Sequence, residues 1–215
     1  MNSPSGSLIP PHGGYRKLKS FQIAQLTYDL TVSFVEHYIP RGSRTCDQMV
    51  QAARSGVANI IEGSEAAATS KKTELKLSNV AKASQEELLT DYQAFLRQRG
   101  LSEWPPESPA ARLVRNARPE NLAQLRQLMA TLVADLLIGV FLFSDRSDRS
   151  DRSDRSDKSL LKAEVAGNVM LCLINQETYL LGRQLSRLAA DFEHEGGFSE
   201  RLYRVRSEAR AKNTQ

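Results

Sequence analysis

A chain of 215 residues, 40% hydrophobic and 25% charged, carries enough apolar material for one folded domain with appendages, and its composition excludes a collagenous or wholly disordered protein. Its 29 basic residues against 25 acidic ones leave a net charge of +4, too small by itself to announce a polyanion binder. Two cysteines, Cys46 and Cys172, lie far apart with no CxxC pair. That spacing argues against a disulfide framework or a metal site, and both are expected to be buried packing residues.

Residues 1–14, with Pro4, Pro10 and Pro11, lack the basic region and apolar stretch of a signal peptide and are expected to be a disordered lead-in. The longest apolar run, Leu136 to Phe143, is shorter than the roughly 20 residues that cross a bilayer, so the expectation is a cytoplasmic protein without membrane contact. From Arg16 to Tyr38 the residues Phe21, Ala24, Tyr28, Thr31, Val35 and Tyr38 recur at helical spacing, which predicts a first helix ending before Pro40. Thr45 and Gln48 have the spacing of a capping box. A second helix is predicted there, with Met49, Ala52, Ala53, Gly56, Val57 and Ile60 on an unusually small core face and a left-handed cap at Gly63. Leu77, Ala81, Ser84, Leu88, Tyr92 and Phe95 mark a third helix over 70–99, stopped by Gly100.

Residues 101–118 hold Trp104, Pro105, Pro106 and Pro109, which predict a Pro-rich connector with no continuous helix. An additional helix over 119–143 follows, with Pro119 at its first position and Leu122, Leu125, Met129, Leu132, Leu136 and Phe143 along it. Residues 144–158 are a tandem run of four Ser-Asp-Arg copies and one Ser-Asp-Lys, whose five bases and five acids cancel. Such a block is expected to be a flexible linker, the sharper alternative being that phosphorylation of its serines turns it acidic. Leu161, Val165, Val169, Cys172, Gln176, Tyr179, Leu180 and Arg183 then predict a long last helix reaching about Phe192, with Asn168, Asn175 and Gln176 fixing helix register. Gly196 and Gly197 stop it, and Phe198, Leu202, Val205 and Ala209 mark a short amphipathic segment.

No stretch alternates like a strand. The chain is therefore predicted to be all-α, an antiparallel up-down four-helix bundle over 15–192 with an additional helix before the repeat linker and a basic C-terminal suffix over 193–215.

Outside the repeat, 24 basic residues face 20 acidic ones, and they cluster. Arg201, Arg204, Arg206, Arg210 and Lys212 are opposed only by Glu200 and Glu208, and Arg97, Arg99, Arg112, Arg115 and Arg118 by Glu103 and Glu107. Grouped cations attract phosphate backbones by counterion release and need no base contacts, which makes Arg112, Arg115, Arg118 and the five suffix residues candidates for nucleic-acid binding. The plainer reading is a solvated tail in which Glu200 pairs with Arg204 and Glu208 with Lys212, each pair worth about 0.2–0.5 kcal/mol. Gln51, Arg54, Ser55, Asn59 and Glu62 form a polar stripe on the second helix, expected to be its solvent face with Asn59 bonded to a neighbouring helix or the backbone. His12, His37 and His194 have no metal or triad spacing around them, and no Gly-rich phosphate loop appears, so no cofactor, metal or catalytic activity is expected.

The stretch from Gln51 through Ala52-Ala53-Arg54-Ser55-Gly56-Val57-Ala58-Asn59 to Ile60-Ile61-Glu62-Gly63-Ser64 resembles the second-helix signature of a bacterial four-helix-bundle family, and the stretch from Thr73-Glu74-Leu75 to Glu87-Leu88 resembles its third helix. That family includes proteins encoded in intervening sequences of large-subunit ribosomal RNA genes and the Avd accessory proteins of diversity-generating retroelements. The run Asn168 to Gln176, then Tyr179-Leu180-Leu181 and Gly196 to Arg204, resembles the subgroup carrying a C-terminal suffix after the bundle. The resemblance spans 15–99 and 160–210, with Arg54, Ser55, Asn59, Glu62 and Gly63 as its signature positions. It implies a homo-oligomer, pentameric in the Avd branch, whose basic surface engages RNA or DNA and a reverse transcriptase. Two functions are therefore expected to compete. One is a non-catalytic oligomeric accessory protein that binds nucleic acid, RNA first; the other is a protein-interaction scaffold in which the apolar Leu132 to Phe143 docks a partner without nucleic acid.

Overall fold

The computed structural model describes residues 12–143 and 151–213. Within them the protein is all-α and has no strand. A 3-10 turn, Gly14–Lys17, leads into α1 (Lys19–Tyr38), α2 (Arg44–Ala66), α3 (Lys71–Gln98), α4 (Pro109–Ala117), α5 (Leu122–Phe143), α6 (Asp151–Glu195) and α7 (Phe198–Asn213). No helix among the described residues is long and apolar enough to cross a membrane.

Several element boundaries differ from those the spacing predicts, each for a local reason. α1 begins at Lys19 rather than Arg16 because Tyr15 turns inward, packing edge-on against Phe21 at 4.8 Å between ring centroids. Gly13 donates its backbone N–H to the Ser64 carbonyl at 3.2 Å, so the end of the expected lead-in is tied down; residues 1–11 lie outside the described residues. The cap of α2 is Ser43, whose hydroxyl accepts from the Thr45 N–H at 3.3 Å, in place of the Thr45/Gln48 box. Gly63 does not end α2, which runs on to Ala66. It is buried against α3, where an added Cβ would sit 3.4 Å from Leu77 Cβ and 3.5 Å from the Glu74 carbonyl, so its smallness serves close approach instead of a stop. Gly100, with φ 65°, does end α3 in the left-handed region that glycine tolerates.

The connector is partly helical. Ser108 caps α4, accepting from the Ala111 N–H at 3.3 Å, and Pro109 sits in the first turn, where a missing N–H costs nothing. Pro119 precedes α5 instead of starting it, and Asn121 supplies the cap by accepting from the Gln124 N–H at 3.0 Å. Of the Ser-Asp-Arg block, residues 144–150 lie outside the described residues, while 151–158 form the first turns of α6. The repeat contains neither glycine nor proline, so nothing in its composition breaks a helix that α6 propagates into it. Cys46 and Cys172 are both free and half-buried, short of the full burial expected.

α1 packs against α2 and α6, and α3 packs against the same two helices. The contacts are specific: Ser20 with Gln184 at 3.2 Å, Ser55 with Ser84 at 3.0 Å, and the Tyr92 hydroxyl donating to Thr31 at 3.1 Å. Leu96 fills the space above Gly167, where an added Cβ would come within 2.8 Å of Leu96 Cδ2. The larger apolar cluster holds Leu30, Phe34, Leu88, Tyr92, Val169 and Leu173, with Phe34 edge-on to Tyr92 and Phe95 at 4.8 and 4.7 Å. Each side chain of that size stabilises the fold by about 1.5–3 kcal/mol when buried. A smaller cluster gathers Tyr15, Ala24, Val57, Ile60, Ala81 and Leu181.

The two clusters meet at a polar level. Thr27 on α1, Gln85 on α3 and Glu177 on α6 are fully buried, and each falls in sequence where its helix passes from one cluster to the other. α4 and α5 cover the outer side of α6 through Ala111, Val114, Leu125 and Leu132, and α7 packs only lightly on the rest.

Candidate nucleic-acid interface

α7 owes its position to the two glycines before it. Gly196 adopts φ 71° and separates α7 from α6, and the Glu200 carboxylate accepts from the Gly197 N–H at 2.9 Å, capping the new helix. Phe198, Leu202 and Val205 are half-buried on its inner side, which leaves Tyr203, Arg204 and Arg206 exposed. Arg204 and Arg206 form no ion pair or hydrogen bond with any described residue, so the expected Glu200–Arg204 pair is absent: Glu200 turns back to the backbone. Arg201 and Arg210 each have an interaction partner, and Lys212 belongs to the last turn of α7. A small cleft of about 60 Å³ separates the start of α7 from the turn before α3, lined by Ser70, Lys71, Arg201 and Arg204, with Lys71 also paired to Glu74 at 3.2 Å.

The second predicted cluster is employed differently. Glu107 holds Arg112 at 3.1 Å and Arg115 at 3.7 Å, and Arg115 also donates to the Pro106 carbonyl. Arg118 caps α4 with φ 45° and is exposed. Arg99 donates to the Tyr38 carbonyl at 3.0 Å and stacks over Phe95 at 4.0 Å. Arg99, Arg112 and Arg115 therefore fasten the connector and the end of α3, a task the sequence reading did not assign them. Nor do the two clusters form one surface. Arg115 lies beside Cys172 and α7 starts beyond Glu195, about 35 Å further along α6 at the α-helical rise.

The signature stripe on α2 is mostly structural. Asn59 donates to the Ser55 carbonyl at 2.8 Å and to its hydroxyl at 3.1 Å, Ser55 meets Ser84 across the helix pair, and Gly63 faces α3; Arg54 and Glu62 are exposed. Beside it runs an open cleft of about 690 Å³ lined by Arg44, Asp47, Gln51, Ser55, Glu87 and Asp91. Burial, and then the neighbouring Glu87, pushes the Asp91 carboxyl up. Three carboxylates against one guanidinium repel phosphate, so this cleft is unsuited to a polyanion.

Tyr179 and Arg183, predicted on the inner stripe of the last helix, are exposed, with Tyr179 64% accessible. Glu177 takes the inner position instead, and its spacing of four from Leu173 and from Leu181 was the available signal. Burial raises its carboxyl well above the ordinary value, because a charge there would lose its hydration. The neighbouring Thr27 hydroxyl opposes that shift, although no hydrogen bond of ordinary geometry joins the two. No group of three or more His, Cys, Asp or Glu suited to a metal occurs among the described residues. Compared with protein-family models, curated proteins and solved structures, the chain matches none.

Proposed function

We propose that this chain is a non-catalytic, oligomeric accessory protein in which α1, α2, α3 and α6 form an antiparallel four-helix bundle and arginines outside it hold nucleic acid, RNA first. The bundle is supported by opposed numbering along neighbouring helices: Ser20 meets Gln184 and Thr27 faces Glu177, while Gly56 meets Gln85 and Gly63 meets Leu77. Membership in the family of ribosomal RNA intervening-sequence and Avd-like proteins is the reading most compatible with the α2 signature, whose Ser55, Asn59 and Gly63 join α2 to α3.

One observation carries the nucleic-acid reading. Arg204 and Arg206 are exposed on a lightly packed helix and have no partner among the described residues, whereas Arg99, Arg112 and Arg115 are engaged by the fold. Unpartnered guanidinium groups are available to phosphates at no cost of breaking an ion pair. Two cations bind weakly, and a ring of identical subunits would multiply them on one polyanion. A homo-oligomer, pentameric as in the Avd branch, presenting RNA to a reverse transcriptase or another enzyme is the corresponding role. Electrophoretic mobility of RNA and DNA with the wild-type protein and with the double variant Arg204→Glu/Arg206→Glu tests it. Retardation by the wild type and its loss in the variant are expected; equal retardation by both overturns the assignment. Light scattering tests the oligomer, and a monomer at binding concentrations contradicts it.

A protein-interaction scaffold is the second reading, favoured by α5. Leu128, Met129 and Leu136 are only partly covered there, on a helix outside the α1–α2–α3–α6 circuit.

A further inference from the structure

Among the exposed large hydrophobic side chains of the described residues, Tyr203 and Tyr179 stand apart, at 77% and 64% accessible, with none of the others above 44%. An isolated exposed tyrosine is ordinary. These two share a surround. On α7, Tyr203 is followed at three, four and seven positions by Arg206, Ser207 and Arg210, which lie on the same side of the helix and are all exposed. On α6, Tyr179 is followed at four, seven and eight by Arg183, Ser186 and Arg187, again on one exposed side. Arg187 reaches Asp191 only at 3.8 Å with its side chain 84% accessible, a pair that restrains it little.

The repetition points to chemistry. A ring standing in water beside guanidinium groups, with no large exposed aliphatic side chain among the described residues of either stripe, lacks the packed apolar centre that protein-binding hot spots have. It has what a nucleobase requires: a flat apolar face for stacking, with cations one and two turns away for the flanking phosphates. A duplex hides its base faces, so only unpaired bases can use such a ring. Resting on the proposed nucleic-acid reading, we infer that Tyr203 and Tyr179 are base-stacking residues and that the ligand is single-stranded nucleic acid, with Arg206 and Arg183 holding the adjoining phosphates.

Fluorescence anisotropy with a labelled 20-nucleotide unstructured RNA and a blunt hairpin duplex of equal charge separates the possibilities, using full-length protein and the variants Tyr203→Ala, Tyr203→Phe and Tyr179→Ala. The wild type is expected to prefer the single strand. Tyr203→Ala should weaken single-strand binding by about five- to 160-fold, the range that base–aromatic stacking spans, and leave duplex binding unchanged. Tyr203→Phe, which keeps the ring, should bind like the wild type, and Tyr179→Ala should lose affinity for the single strand in the same sense. Single-strand affinity unchanged in both alanine variants overturns the inference while leaving arginine-mediated binding intact. If Tyr203→Ala instead alters only the mass measured by light scattering, the stripe is a protein contact and the inference fails. Wild-type protein that binds neither probe removes the nucleic-acid reading itself.

Discussion

Asn168 on α6 holds Trp104 of the connector: its side-chain oxygen accepts from the Trp104 N–H at 2.7 Å, while its amide nitrogen donates to the Ser102 carbonyl at 2.8 Å and the Glu164 carbonyl at 3.0 Å. Asn168 is almost fully buried, and in place of the helix register expected of it, it pins 102–104 of the connector to α6. Replacing it by leucine leaves these backbone groups without their partner, a loss of about 1–3 kcal/mol. Trp104 is the protein's single tryptophan, so its emission reports the site directly. Urea denaturation of Asn168→Leu should show a lower midpoint and a red-shifted native emission; an unchanged pair of values contradicts the clamp.

Glu177 makes stability depend on pH in an unusual direction. Its folded-state carboxyl titrates well above the ordinary value of 4.5, so between that value and the raised one the folded protein binds the extra proton and the unfolded chain does not. Stability therefore falls as pH rises through this window, by about 1.4 kcal/mol per pH unit from this group. Glu177→Gln keeps the shape and removes the titration. Denaturation midpoints at pH 5, 6 and 7 should decline more steeply for the wild type than for the variant, and parallel declines refute the assignment.

Gly56 is set against the Gln85 side-chain amide, and a methyl group built on it would overlap that amide. Gln85 is fully buried with no hydrogen-bond partner among the described residues, so it has little room to retreat. Gly56→Ala should destabilise by about 1–3 kcal/mol despite the better helix propensity of alanine. Adding Gln85→Ala should relieve most of the clash, giving a coupling of at least about 0.5 kcal/mol in a double-mutant cycle. Strictly additive effects exclude the contact.

Burial pushes the Cys172 thiol up to about 11, with Arg115 opposing the shift in part. A thiol-reactive dye at pH 8 should therefore modify Cys172 at least about tenfold more slowly than an exposed thiol, because the thiolate is the reacting species. Mass spectrometry of the Cys46→Ser variant measures this rate alone. Fast labelling would mean that α4 does not cover Cys172.

The helices were legible because apolar residues at three- and four-residue spacing have one economical burial. Gly100 and Gly196 were legible too, since both follow a helix end at positive φ. Gly63 was not, because sequence does not distinguish a glycine that ends a helix from one that lets a neighbour approach. Arginine clustering located the suffix, but the count of acids nearby could not reveal that Glu107 would bind Arg112 and Arg115 together or that Glu200 would cap its own helix. Tyr179 was misassigned for a related reason: it lies one position from Leu180 and two from Glu177, and spacing alone gives either side of α6 a tolerable stripe. The raised titration of Glu177 was not legible, since it follows from a burial that only packing produces.

The central claim is that exposed arginines of α7 hold phosphates, and the salt dependence of binding tests it most directly. Affinity for single-stranded RNA should fall linearly on logarithmic axes as salt rises, and Arg204→Gln/Arg206→Gln should flatten that slope by about 1.4, or about 0.7 for each phosphate contact removed. A slope identical in both proteins, or no binding at low salt by roughly 100 μM protein, contradicts the account.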